Sequence, residues 1–247
     1  MHKPLNYKYF IRSILFLLML TAAVGGVSAQ DRSSQAGNAL VAAARKNLDT
    51  DVKRALARGV DPNSTSDEFG PAIVAAAFNQ AWESVSVLAD APTIDLERTN
   101  ARGETALMLA AVHGKADLVQ KLVSRGAEVN RVGWTALHYA VTSGSLPTVR
   151  ILLDASAYID AQSPNGTTPL MMAARQKAIS IAQLLIEEGA DPTPRNQSGF
   201  SAADYFDRNG DAARAAWLRD EAKRFEAKYG TEAAPKFSTP VAAPQKP

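Results

Sequence analysis

The side chains that could perform acid–base, nucleophilic or metal chemistry are few in this sequence. Beyond residue 29 it holds two histidines, His113 and His138, and it has no cysteine at any position. No acidic residue stands at metal-ligand spacing beside either histidine. Ser143 and Ser145 follow His138 closely, but no strand–turn–helix pattern of a nucleophile elbow surrounds them. A phosphate-binding glycine loop and an HExxH motif are also missing, so we expect no catalytic residue, no metal and no cofactor.

The first 29 residues differ in composition from the rest of the chain. Lys3, Lys8 and Arg12 precede an apolar run over residues 14–24, and Val27-Ser28-Ala29 follows it. A basic start, a short apolar stretch and small residues before the cut are typical of a secretory signal peptide. We predict cleavage after Ala29 and a periplasmic or secreted protein. The alternative is an uncleaved anchor, which needs a run of about 20 apolar residues. With no cysteine at the cut, a lipid anchor is not expected either.

The charge of the chain is nearly balanced. There are 27 Lys and Arg against 25 Asp and Glu, and removal of the signal peptide leaves 24 basic residues and a net charge of −1. This balance does not favour nucleic acid as a partner. Apolar residues make up 46% and charged residues 21% of the sequence, which excludes a wholly disordered chain and an integral membrane protein. We expect a soluble monomer.

A nine-residue pattern recurs along the chain. It is clearest as GETALMLAA at 103–111, GWTALHYAV at 133–141 and GTTPLMMAA at 166–174. Including three weaker copies, the repeats start near Asn38, Gly70, Thr105, Thr135, Thr168 and Ser201. Each interval is 30 to 35 residues, and most copies close on a small residue followed by a segment such as Val60-Asp61-Pro62-Asn63. A period of this length indicates a solenoid of stacked units.

These residues resemble the ankyrin repeat, whose signature includes T-P-L-H-x-A and a G-A-D-V-N close. The resemblance covers residues 37–228. It implies an all-α solenoid of about six helix–turn–helix repeats with short hairpin loops and a C-terminal capping helix. Local chemistry agrees, because the hydroxyl residues at the repeat starts are suited to capping helices. Glycines at 114, 144 and 210 interrupt the pattern before a second helix, and those at 59, 126 and 189 suit left-handed caps.

The remaining segments are assigned by composition and spacing. Residues 30–36 are predicted as a linker and 229–247 as a Pro/Ala-rich disordered tail. The interval from Thr105 to Thr135 is short, so the hairpin between Asn130 and Gly133 should be reduced. The helix over residues 211–228 is predicted as the cap, since its mixed charges disfavour a membrane-surface helix. The basic cluster of repeat one (Arg45, Lys46, Lys53, Arg54, Arg58) is interpreted as a solvated cap and not as a phosphate tract.

Most titratable residues are interpreted as structural. In the family the motif histidine, here His138, packs and hydrogen-bonds between repeats. Asp61, Asp160 and Asp191 recur at one repeat position before a loop, where turn chemistry explains them. For His113, ordinary packing, a partner contact and a catalytic role all stay open.

Residues that the repeat does not dictate are the candidates for function. In ankyrin-like stacks partners dock on the concave face, formed by the hairpin tips and the first helices. Aromatic residues and arginine dominate protein–protein hot spots, although Trp134 and Phe200 could merely pack along the hairpin row. The predicted partner-binding residues on this face are Phe69, Phe78, Glu104, Val112, His113, Trp134, Thr142, Ser143, Arg175, Gln176, Phe200 and Arg208.

The sequence therefore predicts a non-enzymatic, exported scaffold that binds a protein of the export compartment through its concave face. One alternative is an immunity or protective protein that neutralises or shields an enzyme or toxin there. A remote alternative is a hydrolase using His113 with a nearby acid, and another is an envelope tether formed by the Pro-rich tail. The identity of the partner is not encoded in these motifs.

Overall fold

A computed structural model describes residues 28–230, and in that range the chain forms twelve helices in six pairs. The first helices of the pairs are α1 (Ala29–Arg45), α3 (Ala72–Phe78), α5 (Ala106–Val112), α7 (Ala136–Ser143), α9 (Pro169–Arg175) and α11 (Ala202–Arg208). The second helices are α2 (Asp49–Ala57), α4 (Trp82–Ala89), α6 (Ala116–Ser124), α8 (Leu146–Asp154), α10 (Ile179–Glu187) and α12 (Ala212–Tyr229). The six pairs correspond to the six predicted repeats. None of these helices is long and apolar enough to cross a membrane.

Hydroxyl residues stand at the start of the first helices of repeats three to six, as the motif predicts. The side-chain oxygens of Thr105, Thr168 and Ser201 each accept a bond from the backbone N–H three residues later, at 3.3 Å in all three cases. Pro169 stands at the start of α9, where a missing N–H costs nothing. Thr135 differs because its hydroxyl pairs with the His138 ring at 2.9 Å. These caps satisfy amide groups that the first helical turn cannot bond internally.

The hydrophobic core is continuous along the stack. The large buried side chains of the first helices are Leu40, Ile73, Leu107, Leu137 and Leu170, and those of the second helices are Val52, Leu88, Leu122, Leu152, Leu185 and Leu218. Small residues such as Ala110, Ala140 and Ala173 are also part of this core and have no exposed surface. Burying each large side chain contributes about 1.5–3 kcal/mol. Because neighbouring repeats cover these side chains, no pair of helices could bury its apolar surface alone.

Short loops join the pairs, and the described residues contain one pair of strands. Strand β1 (Thr65–Ser66) runs antiparallel to β2 (Gly70–Pro71), with Thr65 opposite Pro71. The loop between Asn130 and Gly133 has no strand, in agreement with the predicted reduction. The loops that join repeats two and three, four and five, and five and six also lack strands, so the reduction is not special to that interval.

The two ends of the stack differ in how closely they follow the predictions. Residues 30–36, expected as a linker, are helical and form the first turns of α1, where the Ser28 hydroxyl and the Asp31 carboxylate cap the helix reciprocally. At the other end, α12 has 18 residues and packs Leu218 against the core, as predicted for a cap. The rest of the predicted signal peptide, residues 1–27, and residues 231–247 of the predicted tail lie outside the described residues.

Candidate protein-binding face

His138 is held as a structural residue inside the stack. Its Nδ1 lies 3.2 Å from the backbone nitrogen of Thr135, which can only donate, so the proton of the neutral ring is on Nε2. Nε2 donates to the carbonyl oxygen of Thr167 at 3.0 Å. Burial lowers the pKa of His138 to about 4, so the ring is neutral at physiological pH. The predicted structural role of His138 is confirmed.

The other candidates for chemistry do not form a catalytic arrangement. The Ser143 hydroxyl donates to the Ala140 carbonyl at 2.6 Å, and the Ser145 hydroxyl pairs with that of Thr148 at 2.8 Å, so both serve helix ends. His113 is exposed, and its ring centroid lies 5.4 Å from that of Trp82 in α4. In residues 28–230 no group of three or more His, Cys, Asp or Glu side chains could hold a metal ion.

The aspartates before the loops are structural, but they do not share one position in the repeat. Counted from the closing small residue, Asp61 and Asp191 align with each other, whereas Asp160 aligns with Asn63 and Asn130. Asp61 and Asp191 bond within their own turns, for example from the Thr193 N–H to Asp191 at 2.8 Å. Asp160 reaches the next repeat and accepts from the Asp191 N–H at 2.9 Å. Burial raises the pKa of Asp160 to about 6.

The first aromatic cluster of the predicted face surrounds a pocket of about 500 Å³. Its walls are Phe69, in the turn between β1 and β2, and Phe78 at the end of α3, which is 52% exposed. The Arg45 guanidinium lies 3.9 Å from the centroid of the Phe69 ring, and that of Arg102 lies 5.7 Å from the centroid of the Phe78 ring. We call this region, with its floor of Val74 and Ala75, the Phe69 pocket. Two predicted residues, Phe69 and Phe78, thus meet in one site.

The middle of the face combines an indole with a hydrogen-bonded carboxylate. Trp134 is 39% exposed, and its ring meets that of His138 edge-on at 5.3 Å. Glu104 accepts from the Tyr139 hydroxyl at 3.1 Å and from the Asn100 amide at 2.7 Å. Burial, aided by the Glu104 carboxylate, raises the pKa of Tyr139 to about 12. The centre of the face therefore offers a carboxylate held by Tyr139 of the next repeat, and an exposed indole packed on His138 of its own repeat.

At the C-terminal end Phe200 forms a third cluster. Its ring centroid lies 5.6 Å from that of Tyr205, and the Arg208 guanidinium lies 4.6 Å from the same centroid. The Tyr205 hydroxyl accepts from the Asn196 amide at 2.7 Å. Phe200 and Arg208, both predicted for this face, are therefore brought together.

The remaining predicted residues stand separately near the C-terminal ends of first helices. Arg175 and Gln176 are exposed at the end of α9. Val112 is half-buried at the end of α5, and His113 follows it with its ring against a second helix. The Thr142 hydroxyl donates to the His138 carbonyl at 2.9 Å, as Ser143 does to Ala140. These two hydroxyls are largely engaged within α7.

Sequence reasoning missed several residues of this face. Tyr139 and Tyr205 occupy the same repeat position, four residues after the caps Thr135 and Ser201, where Leu109 and Met172 stand in other repeats. A comparison of the repeats at that position would have shown that Tyr139 and Tyr205 carry a hydroxyl where those copies have an apolar side chain. Arg102 lies in a loop outside the repeated helices, and no periodic signal marks it.

The sequence of the chain is similar to those of known proteins that contain ankyrin repeats. A family model described as ankyrin repeats (3 copies) matches residues 39–132 and 129–196. Over 110 residues the chain is 33% identical to an ankyrin repeat-containing protein of Treponema pallidum, covering 43% of this chain and 37% of that protein. It is 36% identical over 109 residues to neurogenic locus notch homolog protein 1 of Danio rerio, covering 42% of this chain and 4% of that protein. The match therefore spans well under half the length of these relatives.

The fold comparison extends over more of the chain. The crystal structure of the ankyrin repeat domain of Bcl-3, a member of the IkappaB protein family, superposes with a TM-score of 0.59 at 27% sequence identity. The superposition covers 67% of this chain and 76% of that domain. The stacked helix pairs described above are thus the arrangement found in that domain.

Proposed function

The chain belongs to the ankyrin-repeat family, and we propose that it is a non-enzymatic scaffold that binds a partner protein along its concave face. Ankyrin repeats are modules for protein–protein interaction, and their fold is typically a non-catalytic scaffold. The observation that carries the proposal is the row of partly exposed aromatic rings at Phe69, Phe78, Trp134 and Phe200, three of them beside an arginine. Aromatic and arginine side chains supply most of the binding energy at interfaces.

The proposal is tested by affinity capture with the full chain as bait. The double substitution Trp134→Ala with Arg175→Ala removes an indole and a cation from the concave face. Its matched control is Arg150→Ala with Gln183→Ala, which removes exposed side chains from the second helices α8 and α10. We expect the first variant to recover its partner at roughly one tenth of the wild-type level or less, as for loss of hot-spot residues. The control should recover it fully, and equal recovery by all three proteins would contradict the proposal.

We propose further that the protein acts outside the cytoplasm, in the periplasm or as a secreted protein. The support is the basic start, apolar run and small residues of positions 3–29. Cleavage after Ala29 would remove Ser28, whose hydroxyl accepts from the Asp31 N–H at 3.0 Å, and so would uncap α1. Cell fractionation followed by N-terminal sequencing tests this. A chain that begins at Gln30 in the exported fraction is expected, and an intact chain in the cytoplasm would refute it.

A further inference from the structure

The Phe69 pocket carries two arginines whose charges are not matched by ion pairs. In the part of the chain that the structure describes, neither Arg45 nor Arg102 lies within ion-pair distance of a carboxylate, and both lie over aromatic rings. Other arginines of the stack are paired, as Arg131 is with Glu97 at 2.7 Å. A guanidinium stacked on a ring keeps its N–H edges free, and its planar fork matches a carboxylate in bidentate geometry.

Between the two arginines the pocket is apolar. Val74 and Ala75 form its buried floor, and the rings of Phe69 and Phe78 form its walls. The volume of about 500 Å³ exceeds that of a single side chain, and it is within the range of sites that bind ligands. The pocket therefore has room for an apolar side chain together with the backbone on either side of it.

The acidic residues of the pocket lie on one edge only. Asp67 and Glu68 belong to the turn between β1 and β2, are exposed, and form no ion pair with Arg45 or Arg102 in the described chain. Arg45 comes from the end of α1, and Arg102 from the loop before α5. A carboxylate that enters the pocket is repelled from the hairpin edge and attracted to the two arginines, so the charges orient as well as bind it.

We propose that the Phe69 pocket binds a segment of the partner protein in which an apolar side chain is flanked by aspartate or glutamate. The apolar side chain packs between Phe69 and Phe78, and the flanking carboxylates accept hydrogen bonds from Arg45 and Arg102. This inference rests on the proposed function, since it specifies the chemistry of a partner that docks on the concave face. Beyond position 29 the chain has 24 basic and 25 acidic residues, so its net charge does not attract acidic segments. The preference for them is therefore a local property of this pocket.

A larger groove of about 790 Å³ beside Trp82 does not specify an occupant in the same way. It is lined by three lysines and three acidic residues, and two of those lysines already form ion pairs, Lys53 with Asp49 at 2.8 Å and Lys121 with Asp90 at 2.7 Å. Because two of its three lysines are already engaged in ion pairs, this groove lacks the two unpaired cations that Arg45 and Arg102 provide in the Phe69 pocket.

The test selects peptides from a random library displayed on phage, with the immobilised full chain as target. The double variant Arg45→Gln with Arg102→Gln measures how far binding depends on the two guanidiniums. Its matched control, Arg58→Gln with Arg150→Gln, makes the same change of charge at exposed arginines outside the pocket. A second pocket variant, Phe78→Ala, removes an exposed ring at the wall, and thermal melting confirms that each variant is folded.

We expect the enriched peptides to share an apolar residue flanked by Asp or Glu. Their affinity, measured by fluorescence anisotropy, should fall roughly tenfold or more in the double variant, since charge-assisted bonds are lost, and it should fall with added salt. The control variant should bind like the wild type. Enrichment of neutral or basic peptides, no enrichment, or equal binding to the double variant would overturn the proposal. If partner capture depends on Trp134 and Arg175 but not on Arg45 and Arg102, the concave-face function stands and the assignment of this pocket fails.

Discussion

His138 donates from Nε2 to the carbonyl oxygen of Thr167 at 3.0 Å, and this bond ties the fourth repeat to the loop that begins the fifth. The same ring accepts from the Thr135 N–H, so one neutral imidazole caps its own helix and fixes the next repeat. Both bonds are buried, where an unmatched polar group costs about 1–3 kcal/mol. The ring therefore couples two neighbouring repeats within the fold.

We predict that His138→Ala lowers the free energy of unfolding by about 2–4 kcal/mol, because it leaves a cavity and two unmatched backbone groups. Urea denaturation followed by circular dichroism measures this. The matched control is His113→Ala, which removes an exposed ring and should change the free energy by about 0.5 kcal/mol or less. Equal losses in the two variants would show that the buried bonds of His138 do not stabilise the stack.

The role of His138 could be predicted because it stands at the motif histidine of the ankyrin signature, to which the family resemblance assigns packing between repeats. The helix starts at Thr105, Thr168 and Ser201 could be predicted because hydroxyl residues suited to capping stand at the repeat starts. Arg102 could not be predicted, because it lies in a loop outside the repeated pattern. The alignment of Asp160 with Asn63 and Asn130 is visible in the sequence, whereas its bond to the next repeat is visible only in the structure. The helix over residues 30–36 was not predicted, because a short polar segment has the composition of a linker. The segment can be assigned to a helix only once Ser28 is recognised as its cap.

Asp160 takes the place that asparagine has in two other repeats. Asn63 and Asn130 each accept from an N–H of the next repeat and donate to the carbonyl two residues earlier, those of Thr93 and Ser156. Asp160 accepts from the Asp191 N–H in the same way, but an ionised carboxylate cannot donate. At neutral pH the fold thus holds a partly buried charge where a neutral amide would serve better.

We predict that Asp160→Asn raises the free energy of unfolding at pH 7 by about 1–3 kcal/mol. The pKa of Asp160 is about 6 in the folded state, against an ordinary value of 3.8 for a solvated aspartate. Its carboxyl therefore stabilises the fold when protonated and loses that contribution as pH rises through 6, so the gain of the variant should vanish near pH 4. Asp61→Asn, in an exposed turn, is the control and should be neutral. A loss of stability in Asp160→Asn at pH 7 would contradict the argument.

His138 and Asp160 oppose each other between pH 4 and 6.5. The pKa of His138 is lowered to about 4 from 6.5, so the unfolded state takes up its proton first, and stability falls by up to about 3 kcal/mol as pH drops through this window. Asp160 contributes in the opposite direction over nearly the same range. We expect the wild type to change little from pH 6.5 to 4.5, and Asp160→Asn to lose stability steeply. Parallel pH profiles for the two proteins, measured by urea denaturation, would contradict this balance.

Ser156 adopts a left-handed conformation that other repeats give to glycine. Its φ is 61°, whereas Gly59, Gly126 and Gly189 have φ of 81°, 91° and 94° at the same place. We predict that Ser156→Gly raises the free energy of unfolding by about 0.5–1 kcal/mol, because relief of the left-handed strain exceeds the entropic cost of glycine. The reciprocal control is Gly126→Ser. A Cβ there meets nothing within 4 Å, so any loss is conformational, and thermal melts of both variants should shift in opposite directions.

Ala140 is a small residue on α7, which packs against the first helices α5 and α9 on either side. It has no exposed surface, and Ala110 and Ala173 stand at the same position in the repeats on either side. We predict that Ala140→Leu lowers the free energy of unfolding by about 1–3 kcal/mol, because a close-packed interior has no room for three more carbons.

The form of the Ala140→Leu transition should change along with its midpoint. Stability in a solenoid is the sum of contacts between adjacent repeats, so a weakened junction at α7 lets the two ends of the stack unfold separately. Urea denaturation should then show a broadened or biphasic transition, where the wild type shows a single one. Ala213→Leu, at an exposed site in α12, is the matched control and should keep the wild-type midpoint and shape. A single, unshifted transition in Ala140→Leu would mean that the first helices can move apart without loss of stability. Ala110, Ala140 and Ala173 would then not be the residues that set the spacing of the first helices.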